Sequence, residues 1–290
     1  MKKKKISQYI CSTIIVLISL IFIVPFLCVL SASFTSEMAL KMNGYSIIPS
    51  EFSLSAYSFI FENNLDELLS SYGVTIFVAV VGTILGLVFM CGIAYPISRR
   101  DFKYKNIISF FIYFTMLFSG GTVSKYIVIS NYLHLTDTIW VLILPLMLSA
   151  WNIFLLRTYF SAVPNEIVES ARIDGLKELG IFTKMILPLS MHGIATVGLF
   201  TLLMYWNEWY TSMLYMNNDK IISLQYMLVK LLNNVKFLTK NASGIASTEI
   251  IPEKNIRMAT CILAAGPMVM VFPFFQKYFV KGIMVGSVKG

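Results

Sequence analysis

The chain has 290 residues, of which 57% are hydrophobic and 13% are charged, and its mean hydropathy is +0.74. A soluble domain has about a quarter of its residues charged, so an ordinary soluble α/β protein is excluded. The high hydrophobicity also excludes intrinsic disorder. A net charge of +8 would favour nucleic-acid binding in a soluble protein. Here the basic residues flank apolar stretches, so the composition predicts an all-α integral membrane protein in contact with lipid and no nucleic-acid partner.

Six apolar stretches are long enough to cross a bilayer, which takes about 20 residues in a helix. They are residues 10–31, 72–97, 107–129, 138–159, 189–215 and 258–280. The first is longer than the core of a signal peptide, about 7–15 residues, and predicts an uncleaved helix. Gly82 and Gly86 form a GxxxG pattern, which favours close approach of two backbones. Ser119-Gly120-Gly121 predicts a break in the third span.

The basic residues of the short loops predict the orientation of the spans. Lysines at 2–5, four bases within 98–105, and Lys281 with Lys289 fall on one side of a six-span chain, together with the loop 160–188. The positive-inside rule makes that side cytoplasmic, so both termini are expected inside the cell. The segment 33–69 is acidic and external. The loop 217–257 is also external although it is rather basic, and its stretch 223–232 predicts a helix.

The loop 160–188 has the sequence pattern of a cytoplasmic helix–turn–helix. Pro164 suits the start of a helix and Gly175 the position just past its end. Ile167, Val168 and Ala171 then share one apolar face. A second helical run over 177–185 is expected to stop before Pro188. An apolar face on this side packs on the protein's own bundle or on a partner.

This segment resembles a known family. The pattern Glu169-x-Ala171-x3-Gly175-x9-Met185-x-Leu187-Pro188 is similar to the EAA loop of binding-protein-dependent ABC importer permeases, with agreement in every spacing. Ser170 and Met185 depart from it by small changes. Residues 171–175 resemble the carbohydrate, maltose-importer-like branch. The segments 117–122, 137–140, 206–209 and 276–282 resemble its subgroup for complex oligosaccharides or lipoprotein-associated uptake.

The resemblance implies the fold of a type I ABC importer permease with six transmembrane helices, and a domain organisation to go with it. Residues 1–70 would form the N-terminal tail, the first helix and an external loop. Residues 71–282 would form the five-helix transmembrane domain with the coupling loop 160–188, and residues 283–290 a cytoplasmic tail. The chain would be a multi-pass transport subunit of the bacterial plasma membrane, without enzymatic activity of its own.

The resemblance also implies partners and a mechanism. A second, homologous permease would complete a heterodimer, an ABC ATPase dimer would dock on the coupling loops, and an extracytoplasmic binding protein would deliver a carbohydrate, such as an oligosaccharide. The residues implied in coupling to the ATPase are Glu169, Ser170, Ala171, Asp174, Gly175, Leu187 and Pro188. The chain has no GxxxxGK[ST] motif. ATP and Mg are therefore expected on the partner ATPase, with no cofactor or metal in this chain.

The candidate substrate path rests on polar residues inside the spans. Glu208 is an ionisable residue in the fifth span, which is a functional-site hypothesis by default. Carboxylates, amides and aromatic rings suit the hydroxyl edges and apolar faces of sugars, which adds Asn207, Trp206 and Tyr205, and Asn152 in the fourth span. Two alternatives stay open. Glu208 could pair with a partner subunit or support packing, and the aromatic residues could belong to the interfacial belt.

Two other classes of membrane protein fit less well. A stand-alone secondary transporter predicts inverted repeats and charged residues on several spans, and no repeat is evident. A membrane-embedded enzyme predicts clustered His, Asp or Glu. His134 and His192, the two histidines of the chain, lie far apart in the sequence and lack the spacing of metal ligands.

Overall fold

The computed structural model describes residues 2–242 and 252–286, and these segments are almost entirely helical. Within them, β-structure is limited to an isolated antiparallel bridge between Thr35 and Phe52. The chain divides into two compact units, one of Met1–Leu68 with Met227–Pro267 and one of Leu69–Tyr226 with Met268–Gly290. The side chains of the N-terminal lysines, and residues 287–290 of the expected cytoplasmic tail, lie outside the described part.

The first unit is discontinuous in sequence. Its helices are α1 (Lys2–Ser33), α2 (Glu37–Asn43), the beginning of α3 (Ser55–Ser98), most of α13 (Leu224–Ala242) and the beginning of α14 (Glu253–Gly286). The helix predicted over 223–232 is confirmed as part of α13. Residues 11–27 of α1 are mostly apolar and their side chains are exposed, with Phe22 74% exposed. A helix of this kind is a membrane span whose surface is covered by lipid or by another subunit.

Glu37 holds the two sequence segments of the first unit together. Its side chain is 6% exposed, and its Oε2 accepts hydrogen bonds from the backbone N–H groups of Lys254 and Asn255, at 3.1 and 3.2 Å. Those groups belong to the first turn of α14, where N–H groups lack partners inside the helix and attract a carboxylate. Lys41 Nζ lies 3.4 Å from Glu37 Oε1. The buried charge is therefore compensated on both oxygens.

The second unit contains the rest of the bundle. Its elements are the remainder of α3, α4 (Lys105–Leu117), α5 (Gly121–Ile127) with a π turn (Val128–Tyr132), α6 (Ile139–Ile143) with a 3-10 turn (Leu144–Leu146), α7 (Ala150–Ser161), α8 (Asn165–Ile173), α9 (Glu178–Ile181) with a π turn (Phe182–Ile186), α10 (Leu187–Leu189), α11 (Met191–Trp206) and α12 (Tyr210–Tyr215). α7 packs against both α4 and α11, and α12 packs against α6.

The described helices supply up to six membrane spans, as the sequence predicts. Three are single apolar helices: Cys11–Ser33, Ser55–Ser98 and Glu253–Gln276. Three more are bent pairs: Lys105–Leu117 with Gly121–Tyr132 at 111°, Ile139–Leu146 with Ala150–Ser161 at 53°, and Glu178–Leu189 with Met191–Trp206 at 79°. The fold is an all-α membrane bundle in which half of the spans are broken.

Some predicted span boundaries were wrong. The break near Ser119–Gly121 is confirmed, but the stretch 138–159 is also interrupted, after a turn that contains Pro145. Proline lacks an N–H and disrupts the helix that reaches it. The stretch 189–215 is interrupted between α11 and α12. The second span begins earlier than expected, because α3 starts at Ser55 and continues past a non-helical Asn64.

The close approach predicted for Gly82 and Gly86 is confirmed within this chain. A Cβ added at Gly82 would lie 2.5 Å from the Tyr205 ring, and one at Gly86 would lie 2.9 Å from the carbonyl oxygen of Met147. Tyr205 in turn donates a hydrogen bond to the carbonyl of Ile143, at 2.8 Å. Two glycines of α3 therefore let the interrupted fourth span and α11 pack directly on its backbone.

Asp137 joins two loops of the second unit, the one before α6 and the one after α12. Its backbone has a positive φ of 58°, and its carboxylate accepts bonds from Asn217 N at 2.5 Å, Asn217 Nδ2 at 3.0 Å and Asn218 N at 3.1 Å. The Asp137 N–H donates to the carbonyl of Tyr215. The hydrogen bonds from Asn217 lower the pKa of Asp137 from its usual value. The Asp137 carboxylate therefore holds the segment after α12 in place.

Replacing Gly86 with Ala is expected to lower the thermal unfolding midpoint of the detergent-purified protein. The new methyl group meets a backbone oxygen that cannot rotate away, and overpacking of this kind costs about 1–3 kcal/mol. Gly92→Ala is the matched control in the same helix, because a Cβ there meets nothing within 4 Å. Equal midpoints for the two variants would contradict the close contact.

Asp137→Asn is expected to destabilise the protein at neutral pH. Asn also tolerates positive φ, so the change removes the charge and leaves the backbone conformation accessible. Because folding lowers the pKa of Asp137, its stabilisation is complete above the ordinary Asp pKa of about 3.9 and is lost as the pH falls through the folded value. The difference in unfolding midpoint between wild type and variant should therefore shrink at acidic pH. A difference independent of pH would rule out this role of the carboxylate.

Candidate functional site

The coupling loop begins with α8, whose two ends have the residues expected from the sequence. Pro164 precedes the helix in an extended conformation, with φ −56° and ψ 137°. Gly175 follows it with φ +81°, in the left-handed region that favours glycine. The N–H of Leu176 donates to the carbonyl of Ala171, at 3.0 Å, as in a helix-terminating Schellman motif. The predicted helix from Pro164 to Gly175 is confirmed.

α8 has one buried and one exposed face. Val168 and Ala171 are fully buried in an apolar cluster with Met90, Ala94 and Ile97 of α3. Ile167, predicted on the same face, is half-buried and lines a neighbouring cavity of about 430 Å³. Glu169 and Ser170 of the helix are exposed, and so are Asp174 and Gly175 just past its end. One side of the loop therefore rests on the bundle, and the other side is exposed.

Two large apolar side chains of the loop are exposed. Ile173 is 86% exposed and Leu179 is 73% exposed. They lie in the sequence on either side of the Gly175 turn, with Asp174 next to Ile173 and Glu178 next to Leu179. Exposed apolar side chains beside charged residues are typical of a protein–protein contact.

The second helical run of the loop is longer than predicted, and the expected stop before Pro188 is wrong. α9, its π turn and α10 run on to Leu189, and the chain bends only at Ser190. The Leu187 N–H donates to the carbonyl of Phe182, five residues back. Pro188 directly follows Leu187, the residue whose N–H closes this π turn. Leu187 is half-buried against the apolar cluster, whereas Pro188 is exposed.

Three helix interruptions of the second unit, at 118–120, 147–149 and 207–209, lie around one cavity. α4, α7 and α11, each of which has one end at an interruption, are 13, 12 and 16 residues long, or roughly 18–24 Å at about 1.5 Å per residue. The cavity of about 590 Å³ is formed by residues at or next to all three interruptions. It is lined by Gly120, Thr122, Ser124, Lys125, Val128, Ile129, Pro145, Leu146, Glu208, Tyr210, Thr211, Leu214 and Tyr215.

Each break is closed by a side chain that caps the helix after it. The Ser119 hydroxyl accepts from Gly121 N at 3.3 Å, and the Ser149 hydroxyl accepts from Asn152 N at 3.4 Å. Glu208 Oε1 accepts from Thr211 N at 2.7 Å. Irregular backbone at membrane depth is tolerated where the freed polar groups are satisfied and line a cavity. The three interruptions therefore lie beside a cavity whose mainly apolar wall also carries several polar side chains.

The sequence-predicted path residues take different positions around this cavity. Glu208 is half-buried and faces the cavity, and Asn207 is exposed beside it, with its side-chain amide donating to the carbonyl of Leu203. Tyr205 and Trp206 are buried, and the Tyr205 hydroxyl bonds within the bundle. Asn152 is buried and its Nδ2 donates to Thr201 Oγ1 at 3.3 Å. The structure brings Glu208 to the cavity and places Tyr205, Trp206 and Asn152 in helix packing.

Lys125 is a cavity residue that the sequence reasoning did not select. It lies in α5, immediately after the break at Gly120-Gly121, and its side chain is exposed at the cavity. The rule that drew attention to Glu208, an ionisable residue inside an apolar span, applies equally to Lys125. The cavity therefore offers one cation, one carboxylate, hydroxyl groups and two tyrosine rings, which suits a hydroxylated ligand with apolar faces.

The comparisons with known proteins agree with this arrangement. Residues 80–285 match the family described as binding-protein-dependent transport system inner membrane component. The polygalacturonan/rhamnogalacturonan transport system permease protein YtcP of Bacillus subtilis (strain 168) is 38% identical over 276 residues, which are 95% of this chain and 96% of that protein. The arabinooligosaccharides transport system permease protein AraQ of the same organism is 27% identical, and the match covers 94% of this chain and 93% of AraQ.

A solved structure shows the same fold over nearly the whole length. It is a crystal structure of a bacterial ABC transporter involved in the import of the acidic polysaccharide alginate, with a TM-score of 0.77 and 25% sequence identity. The match covers 96% of this chain and 98% of that one. The chain therefore belongs to the binding-protein-dependent transport family, and it is a multi-pass ABC importer permease of the bacterial inner membrane, a transport subunit and not an enzyme.

Proposed function

We propose that this chain is one of two homologous permease subunits that form the path for an oligosaccharide in an ATP-driven importer. A homologous permease completes the heterodimer, an extracytoplasmic binding protein delivers the sugar, and an ABC ATPase dimer supplies the energy, binding ATP and Mg itself. Both termini lie in the cytoplasm in this proposal. The observation that supports it is that one unit combines an exposed helix in the loop 160–188 with a cavity beside three helix interruptions, at 118–120, 147–149 and 207–209.

The coupling surface of the proposal is the exposed side of the loop 160–188. Glu169, Ser170 and Asp174 provide polar contacts to the ATPase, Ala171 fixes the helix on the bundle, and Gly175 makes the turn. Leu187 and Pro188 hold the second helical run in place. The buried face of α8 supports this assignment, because a helix packed on a rigid cluster can pass on a rigid-body displacement.

The cavity at the three breaks is the proposed substrate site, and its chemistry favours an acidic oligosaccharide. Lys125 offers a charge-assisted hydrogen bond to a uronate carboxylate, which is stronger than a bond between neutral groups. Glu208 and Asn207 offer acceptors and donors to sugar hydroxyls, while Tyr205, Trp206 and Asn152 hold the helices around them. YtcP and the alginate importer, whose names refer to acidic polysaccharides, support the same substrate class.

Replacing Gly175 with Val is expected to uncouple ATP hydrolysis from uptake. A β-branched side chain is strained at φ +81°, where the left-handed conformation costs about 1–2 kcal/mol per residue, so the turn at the end of α8 must change shape. Gly175→Asn is the matched control, because Asn tolerates this region. The measurement is ATP hydrolysed per sugar imported, in the complex that co-purifies with the chain. Normal coupling in Gly175→Val, or purification of the chain without any ATPase, would refute the proposal.

Replacing Lys125 with Gln is expected to lower the uptake of trigalacturonate by about ten-fold, because a hydrogen bond to a charged group contributes about 1.5–3 kcal/mol. Lys125→Arg should retain most of the uptake, since it keeps the charge. Lys103→Gln, at an exposed lysine of the loop after α3, removes the same charge away from the cavity and serves as the control. Uptake of trigalacturonate at the wild-type rate by Lys125→Gln would exclude this lysine from the path.

A further inference from the structure

Arg172, in the last turn of α8, bridges two carboxylates from different parts of the chain. Its Nη2 donates to Asp101 Oδ2 at 2.7 Å, and its Nη2 and Nε donate to Glu178 Oε1 at 2.6 and 3.1 Å. Asp101 lies in the loop after α3, and Glu178 is the first residue of α9. One planar guanidinium therefore connects three segments. Its bond to Asp101 holds the pKa of that carboxyl below its usual range.

A tyrosine of α3 extends this connection. The Tyr95 hydroxyl donates to Glu178 Oε2 at 2.7 Å, and the Tyr95 ring lies against the ring of Phe182, with centroids 4.9 Å apart. Arg99, also in the loop after α3, has its Nε 3.7 Å from Asp101 Oδ1. Both carboxylates that bind Arg172 are thus held in turn by the end of α3. We call Arg172, Asp101, Glu178 and Tyr95 the arginine clamp.

The clamp acts where the apolar contacts of α8 end. Val168 and Ala171 fix the middle of the helix, but beyond them Ile173 is 86% exposed and Gly175 has nothing within 4 Å of its Cβ position. A helix of nine residues is too short to be rigid by itself. Leu176, just past the turn, packs against the same apolar cluster, so the guanidinium and its two carboxylates act together with Leu176 in setting the direction of the exposed tip.

The arginine clamp acts on the orientation of α8 and contributes little to the stability of the fold. Arg172, Asp101 and Glu178 are all exposed, and exposed ion pairs contribute little to the free energy of unfolding. A guanidinium bound through several N–H groups has a defined direction, which a lysine ammonium cannot reproduce. Loss of the clamp would leave the fold intact and free the tip of α8 to rotate.

We propose that Arg172 is a positioning residue that locks the tip of the coupling helix to the end of α3. Because of this connection, a displacement of α8 also moves α3, and α8 does not rotate independently. α3 is the appropriate receiver, because its Gly82 and Gly86 contact Tyr205 and the break at Met147. This inference rests on the proposed function, since it assumes that an ATPase moves α8.

The test is Arg172→Gln in the co-purified complex reconstituted in liposomes, with ATP hydrolysis and trigalacturonate uptake measured on the same preparation. Uptake per ATP is expected to fall by about five-fold or more, which is the lower end of coupling effects between sites. Arg172→Lys should rescue it only in part. Arg100→Gln removes the same charge from an exposed position in the loop after α3, and it is expected to couple normally.

Asp101→Asn and Glu178→Gln separate positioning from docking, because neither changes α8. If the clamp positions α8, each of these two variants should lower the sugar uptake per ATP while the ATPase stays bound. Asp101→Asn should have little further effect when combined with Arg172→Gln, because both changes remove the same interaction. Normal coupling in all three variants would overturn the clamp. Loss of the ATPase in Arg172→Gln, with normal coupling in the other two, would assign Arg172 to docking and also overturn it. Failure of the wild-type complex to hydrolyse ATP or import sugar would instead refute the proposed function.

Discussion

The constraint on which this structure depends is that polar backbone groups inside a bilayer must find partners within the protein. Three spans of the second unit are interrupted, and each interruption frees N–H groups at the start of the following helix. Ser119, Ser149 and Glu208 satisfy one of them each. Of these three side chains, Glu208 also lines the cavity beside the interruptions, where Lys125 and several hydroxyl groups provide further polar groups.

α3 is the structural connection between that cavity and the coupling loop. Towards its C-terminal end, Met90, Ala94 and Ile97 bury the apolar face of α8. Further along the same helix, Gly82 and Gly86 lie under Tyr205 and the carbonyl of Met147. Because packed interiors are dense, a shift of one helix is resisted or passed on by its neighbours and is not absorbed. A single helix therefore contacts α8, where energy is proposed to enter, and two of the segments that flank the proposed substrate cavity.

The sequence predicted those features that depend on local chemistry. α8 could be placed because Pro164 and Gly175 determine its ends and the apolar residues between them share a face. The interruptions at 147–149 and 207–209 were missed, because hydropathy reports how apolar a segment is and not the direction in which it runs. Glu208 was read as an intruding charge, whereas it also caps α12. The bond between Arg172 and Asp101 joins residues 71 positions apart, and no local pattern predicts a contact of that kind.

The burial of Glu37 has a consequence for biosynthesis. Its carboxylate is held by backbone groups 217 and 218 positions further along the chain, at the start of α14. While the ribosome is still producing the intervening segment, those groups do not exist, and the charge must remain hydrated. The first unit thus cannot close until nearly the whole polypeptide has been made, whereas most of the second unit is already available. In this permease, α14 is the last span to be synthesised, and it completes the first unit, whose helix α1 is synthesised first.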